Sequence, residues 1–173
     1  AAYHGLNFHE TFGELAFTFH GIAVGLRDLG MTMNPQAAHY ALMGIETLSL
    51  RMQRHVENAQ LVSSWLEKHD AVERVTYAGL PSSPYYKRSK RICPIGAGGL
   101  FTIGLKGGYK ACIKFVESLE IFSHVANLGD TRSLVIHPAS TTHRQLKPEQ
   151  QKAAGSSPEV VRISIGIEDA DDI

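Results

Sequence analysis

The sequence predicts an α/β fold of the α+β kind: a mostly antiparallel sheet covered by helices and preceded by long linking helices. Three observations carry that expectation. From residue 72 onward, short alternating or aliphatic runs take turns with short amphipathic ones. The connections between those runs are too short for parallel crossovers, so antiparallel pairing is expected for most of the sheet. Before residue 72, apolar residues recur at three- and four-residue intervals over long stretches, which is the helical period.

Taken in order, residues 14–29 place Leu15, Phe19, Ile22, Leu26 and Leu29 at helical spacing, and Gly30 stands where a helix would end. The apolar surround of this helix implies burial on more than one side. Asn34-Pro35 is a helix start, a capping side chain followed by a proline whose missing N–H costs nothing there. The pattern then runs to about His69, with Leu42, Ile45, Leu48, Met52, Val56, Ala59, Val62 and Leu66 on one stripe. Unbroken, it would span roughly 50 Å at the helical rise. A kink between Gly44 and Leu50, or a helix bridging two domains, accounts for that length. Arg51, Arg54, His55 and Glu57 fall on the complementary face and are expected to be solvated or paired.

Residues 72–77 alternate as a strand, and the turn-rich stretch after them ends in a basic, solvated tail at Lys87–Lys90. Gly96-Ala97-Gly98-Gly99 is followed by no GK[ST], so it reads as an entry turn to a strand at 100–105 rather than a phosphate loop. Lys106-Gly107-Gly108 closes that strand, and a short amphipathic helix follows at 109–119. Strands are expected near 121–126 and 133–137, a helix near 147–154, and a last strand at 160–167. In that strand Val161, Ile163, Ile165 and Ile167 share one face, and Val160, Arg162, Ser164 and Gly166 the other.

A chain of 173 residues fits one domain or one domain plus an extra segment. With 17 basic and 17 acidic residues and no basic block, nucleic acid and anionic membranes are poor partners. No apolar run approaches the roughly 20 residues that cross a bilayer. Cys93 and Cys112 stand outside any metal or redox spacing, which suits a reducing, cytoplasmic setting. The opening AAYHGLNFHETFG shows no charged leader before an apolar block, and it lacks an initiator Met. The sequence is therefore expected to be a piece of a longer chain.

Chemistry concentrates in two stretches. Residues 123–143 contain a polar turn at Asn127–Asp130, a buried run at Leu134–Ile136, then His137-Pro138 and a hydroxyl-rich tail. Such polar ends suit a cleft better than a core. Residues 159–169 add a fixed positive charge at Arg162, set mid-strand among small residues. It is either a surface arginine or an anchor for a carboxylate, whose two oxygens match two parallel guanidinium N–H groups. The second reading makes the two stretches one wall of an amino-acid site. No pair among the nine histidines has zinc spacing, including His137/His143 and His4/His9, so no metal is expected. His137 reads as a strand-end histidine hydrogen-bonded to backbone. Ser140, His143 and Glu149 could compose a triad, but no G-x-S-x-G elbow accompanies them.

Four long runs, LRDLGMTMNPQAAHYALMGIETLSLRMQRHVENAQLVSSWL, VTYAGLPSSPYY, KFVESLEIFSHVANLGDTRSLVIHPASTTHRQL and SPEVVRISIGIEDADDI, resemble one family along nearly the whole chain. It is the pyridoxal-phosphate enzymes of cysteine and methionine metabolism, and YHGL, Asn127 and ASTTH resemble its O-acetylhomoserine sulfhydrylase branch. The resemblance implies a fold-type-I transferase. Residues 1–50 would be the tail of the large cofactor domain with the interdomain helix, and residues 51–173 the small C-terminal domain. It implies that Arg162 holds the substrate α-carboxylate, that Asn127 contacts it, and that Ser133 and Thr142 lie near the cofactor as further substrate-binding residues. The implied reaction replaces the acetate of O-acetylhomoserine with sulfide or a thiol, giving homocysteine or methionine. A related cystathionine synthase or lyase, a methionine gamma-lyase, or a non-catalytic association module are the alternatives.

The resemblance also marks what these residues lack. The family's Schiff-base lysine, in an S-x-[ST]-K motif, its pyridinium-pairing aspartate and its phosphate-binding glycine loop all match positions before Tyr3. The implied partners are therefore a missing N-terminal domain and further copies in a homo-oligomer, and this chain alone is expected neither to tether pyridoxal phosphate nor to turn over substrate.

Overall fold

The computed structural model describes residues 2–173. They form two compact units, one ending at Glu46 and the other beginning at Thr47.

The first unit is a series of short helices. A 3₁₀ turn at Ala2–Gly5 holds Tyr3 and His4 in the left-handed region, at φ 59° and 54°. Helix α1 (Phe8–Phe12) is capped by Asn7, whose Oδ1 accepts from the backbone N–H groups of His9 and Glu10. A further 3₁₀ turn (Gly13–Leu15) leads to α2 (Ala16–His20), which widens into a π-helical stretch over Gly21–Asp28. The expected helix over 14–29 is thus present in path but not in uniform winding. Gly21 and Gly25 sit in the widened stretch, where missing side chains lower the cost of leaving α geometry. Gly30, at φ 65°, ends it as the sequence suggests. The unit is knitted by rings, with Phe12 stacked on Phe19 at 4.5 Å and Phe8 edge-on to His20 at 5.0 Å. Tyr3 donates its hydroxyl to the Asp28 carboxylate. Burial on several sides is not observed: Phe17 is 90% and Leu29 67% exposed, so this apolar surface has no cover among the described residues. The unit closes with α3 (Pro35–Glu46), started by Asn34, whose Oδ1 accepts from Ala37 N at 2.8 Å.

In the second unit α4 (Leu48–Leu66) follows Thr47, so the interruption falls inside the expected 44–50 interval. Then come β1 (Val72–Thr76), α5 (Tyr86–Ile92), β2 (Leu100–Leu105), α6 (Gly108–Ser118), β3 (Ser123–His124), β4 (Leu134–Ile136), α7 (Pro148–Ala153) and β5 (Val160–Ser164). The sheet order is β1-β2-β5-β4-β3, with every pair antiparallel except β3 with β4. Helix α5 replaces an expected solvated loop; YYKRSKR has no apolar stripe to announce a helix, and none of its residues is buried.

Register decides the faces. Ile103 lies opposite Val161, and Phe101 and Val135 flank Ile163. This face packs with Ala59 and Leu66 of α4 and Cys112 and Val116 of α6 into the core. Each fully buried aliphatic chain contributes about 1.5–3 kcal/mol of transfer free energy. On the other face Arg162 lies between Thr102 and Ile136, in the middle strand of the sheet.

The face α4 buries keeps Ala59 and Leu66 of the expected apolar stripe but is shifted to include polar residues. His55, expected to be solvated or paired, is paired and only 1% exposed, and Asn58 and Ser63 are fully buried beside Ala59. His55 Nδ1 donates to the carbonyl of Ile165 at 2.7 Å, while Asn58 Nδ2 donates to those of Gly166 at 3.2 Å and Glu168 at 2.9 Å. The reason lies in β5, whose ladder stops at Ser164 rather than at the expected residue 167. Buried carbonyls beyond a strand end need donors, and α4 supplies them. Among the described residues no helix is long and apolar enough to cross a membrane, and no cluster of three metal-ligating side chains occurs.

Two outcomes follow. Asn58→Ala leaves the buried Gly166 carbonyl and the part-buried Glu168 carbonyl without this donor and should lower stability by about 1–3 kcal/mol, read as the shift of the urea midpoint. Cys112 is fully buried and its thiol is pushed up to about 11, first by burial and then by the nearby Glu159 charge. Iodoacetamide at neutral pH should therefore label exposed Cys93 and leave Cys112 unmodified until denaturant is added.

Candidate functional site

Arg162 is half-buried at the centre of β5, and its Nη2 donates to the carbonyl of Asn127 at 3.5 Å. The strand thus brings the guanidinium to the polar turn, as one wall of a site requires. The turn has its own internal order. Asn127 Oδ1 accepts from Leu128 N at 2.9 Å, and Gly129 takes φ 74°, a left-handed conformation in which glycine is unstrained. Asp130 Oδ1 accepts from Arg132 N at 3.0 Å, and this backbone N–H first, with the Arg132 charge behind it, holds the carboxyl below its usual range. Gly129 N donates to Ser164 Oγ at 3.2 Å, and Ile167 N donates to Thr131 O at 2.9 Å.

Ser133 lies in the same turn but faces inward, with no exposed surface. Its Oγ donates to Glu168 Oε2 at 3.0 Å and accepts from Gly166 N at 2.9 Å, and its N–H donates to Glu168 Oε1 at 2.5 Å. Its hydroxyl is thus engaged within the protein. Thr142 is exposed, and its Oγ1 pairs with His143 Nδ1 at 2.8 Å. It follows the 3₁₀ turn Pro138–Ser140 beyond β4, and among the described residues no hydrogen bond ties it to Arg162 or Asn127.

His137, fully buried at the end of β4, has its ring fixed on both sides. Nε2 donates to Pro158 O at 2.8 Å, which leaves Nδ1 to accept from Ser140 Oγ at 2.9 Å. This is the backbone-bonded strand-end histidine the sequence suggests; Ser140 pairs with His137, and His143 Nδ1 with Thr142 Oγ1, so the Ser140–His143–Glu149 set is not assembled. An open groove of about 510 Å³, lined by Arg54, Glu57, Asn58, Lys90 and Gly96 among others, includes none of Arg162, Asn127, Ser133 or Thr142. Sequence reasoning missed His55, Asn58, Ser164 and Glu168 as supports of this wall. The period-two pattern places Ser164 and Gly166 on the side of Arg162, which was the available signal for Ser164; Glu168 lies beyond the expected strand.

Comparison with known proteins agrees with this architecture. The chain belongs to the Cys/Met metabolism PLP-dependent enzyme family, whose model it matches over residues 6–173. It is 50% identical over 171 residues to O-acetyl-L-homoserine sulfhydrylase 1 of Thermus thermophilus, which covers 99% of this chain and 41% of that protein. It is 46% identical to the homocysteine synthase of Schizosaccharomyces pombe, over 99% of this chain and 40% of the other. A Campylobacter jejuni crystal structure described as an O-acetylhomoserine (thiol)-lyase, containing a pyridoxyl-lysine phosphate, superposes with a TM-score of 0.84 at 39% identity, covering 98% of this chain and 40% of that one. The chain therefore spans about 40% of the length of the relatives it matches.

The residues present do not fit a covalent hold on pyridoxal phosphate. Every lysine, from Lys68 to Lys152, is exposed, and no described hydrogen bond ties one to Arg162 or Asn127. What the chain offers is a cationic arm facing a turn.

The order of that turn should depend on acid. Asp130 has a lowered folded pKa, so its contribution is complete above the ordinary carboxylate value of 3.8 and is lost as pH falls through the folded value. Exchange protection of the Arg132 amide should hold at pH 5 and disappear in stronger acid, whereas Asp130→Asn should make protection independent of pH in that window.

Proposed function

We propose that this chain is the substrate-carboxylate arm of an O-acetylhomoserine sulfhydrylase, which exchanges the acetate of O-acetylhomoserine for sulfide or a thiol to give homocysteine or methionine. The observation that carries the reading is the half-buried Arg162 guanidinium, mid-sheet and turned to the Asn127 carbonyl, on a scaffold shared with relatives so named. Pyridoxal phosphate, when bound by the whole enzyme, supplies the electron sink for the chemistry at the amino acid.

This chain's residues bind and orient. Arg162 takes the α-carboxylate through two parallel N–H groups, and its place in the middle strand limits how far the substrate can swing. Asn127, with Oδ1 engaged by Leu128 N, turns its amide donors to the same carboxylate. Ser133 acts from within, holding the turn, and Thr142 contributes from the far end of β4. The residues up to about 50 belong to a large cofactor-binding domain and those from 51 to the small domain, an assignment supported by the change at Thr47. Exposed apolar side chains from Leu15 to Met52 support burial against the rest of that enzyme and against further copies in a homo-oligomer. Two unpaired cysteines support a reducing cytoplasm.

In the full-length enzyme, Arg162→Lys should lower kcat/KM for O-acetylhomoserine by about 10- to 100-fold, the loss of one charge-assisted hydrogen bond. A variant that keeps the parent's KM and turnover refutes the role. Comparing acetyl-, succinyl- and phospho-homoserine with sulfide tests the branch: the acetyl ester should be preferred.

A further inference from the structure

We propose that Glu168 and Ser164 are positioning residues for the carboxylate site: from the strand that carries Arg162, and from the exit of that strand, they hold the Asn127–Ser133 turn in place. The inference rests on the reading of Arg162 given above and adds the device that sets its geometry.

Every second residue from Arg162 reaches the same turn. Arg162 Nη2 meets Asn127 O at 3.5 Å, and Ser164 Oγ accepts from Gly129 N at 3.2 Å. Gly166 N donates to Ser133 Oγ at 2.9 Å, and the Glu168 carboxylate accepts from both the N–H and the hydroxyl of Ser133. Ile167 N adds a donation to Thr131 O at 2.9 Å, so the end of β5 and the segment that leaves it together present one polar edge to one loop. The hold at Glu168 has two points and is charge-assisted, which makes it about twice as strong as a neutral pair.

Gly166 explains the close approach. A Cβ there would come within 3.0 Å of Glu168 Oε2, Thr131 O and Arg132 C, so the turn rests on bare backbone. From the core side, Asn58 fixes the carbonyls of Gly166 and Glu168, so the exit segment cannot drift with the turn. The Arg162 contact is the longest of the set, and it is the one a substrate carboxylate would join. The shorter ties keep the turn at a fixed separation from the guanidinium whether or not substrate is bound.

The test uses the full-length, cofactor-loaded enzyme, with initial rates over a range of O-acetylhomoserine well below the melting temperature of every variant. Glu168→Ala should raise KM about 10-fold with kcat within about 3-fold of the parent. Glu168→Gln, which keeps an acceptor for Ser133 N, should fall between them, and Ser164→Ala should raise KM by about 3-fold or more. The decisive readout is the cycle with Arg162→Lys. If Glu168 acts through the carboxylate grip, the double variant should be within about 3-fold of Arg162→Lys alone, because the grip it served is already gone. Should Glu168→Ala fail to fold, the same cycle run with Glu168→Gln decides. Fully additive effects, or a parent-like KM in the Glu168 variants, overturn the positioning role while an impaired Arg162→Lys leaves the carboxylate reading standing. A parent-like Arg162→Lys overturns both.

Discussion

The polypeptide leaves its sheet at Ser164 while it is still buried, and the second unit is arranged around that exit. Backbone groups there have no ladder partner, yet each needs one, since an unpaired buried donor or acceptor costs about 1–3 kcal/mol. Ile165 N donates to Gly99 O, Ile167 N to Thr131 O, and Gly166 N to Ser133 Oγ. The carbonyls of Ile165, Gly166 and Glu168 accept from His55 and Asn58. These partners come from α4, from the turn before β2 and from the turn before β4. Four residues therefore gather three remote segments, and Arg162 stands one step from that meeting point. Satisfying the exit and placing the guanidinium are one structural problem.

The same constraint separates what could be read in the sequence from what could not. Strand β2 and helix α6 were legible nearly to the residue, because alternation in LFTIGL and an apolar stripe running to Leu119 are local signals. The length of the helical pattern suggested either a kink between Gly44 and Leu50 or a bridging helix, and the interruption at Thr47 falls in that interval. A period of two set Arg162 apart from the aliphatic face, while its approach to the Asn127 turn was suggested by the resemblance rather than by the period. The polar half of the buried face of α4 was not legible, because His55 and Asn58 declare their burial only when the carbonyls they serve are known, whereas Ala59 and Leu66 lay on the apolar stripe. Helix α5 was hidden for the opposite reason: with nothing to bury, it carries no apolar period. Ser133 was readable as part of the motif but not as an inward-facing residue, since only the position of Glu168 settles where its hydroxyl goes.

The two units present different surfaces. From Thr47 on, the sheet and helices enclose a continuous core, with Val161, Ile163 and Ile165 at most 1% exposed. Before it, Phe17, Met31 and Leu42 among others stand open to solvent, and aromatic contacts rather than a buried centre hold the helices. Edge strand β1 is guarded in the usual way, by exposed Glu73 and Arg74 and by an irregular register between Val72 and Arg74. Arg74 also bonds Glu159 at 2.7 Å, tying that edge to the start of β5.

Gly166 has a consequence that reaches past its own turn. Two of the three atoms a methyl would strike are backbone, which no change of rotamer elsewhere can move aside. Drift at this position is therefore closed to all nineteen other amino acids unless the neighbouring loop is rebuilt at the same time. Variation in this part of the fold must enter through the surrounding side chains, and a glycine without a side chain becomes the fixed point about which they can diverge.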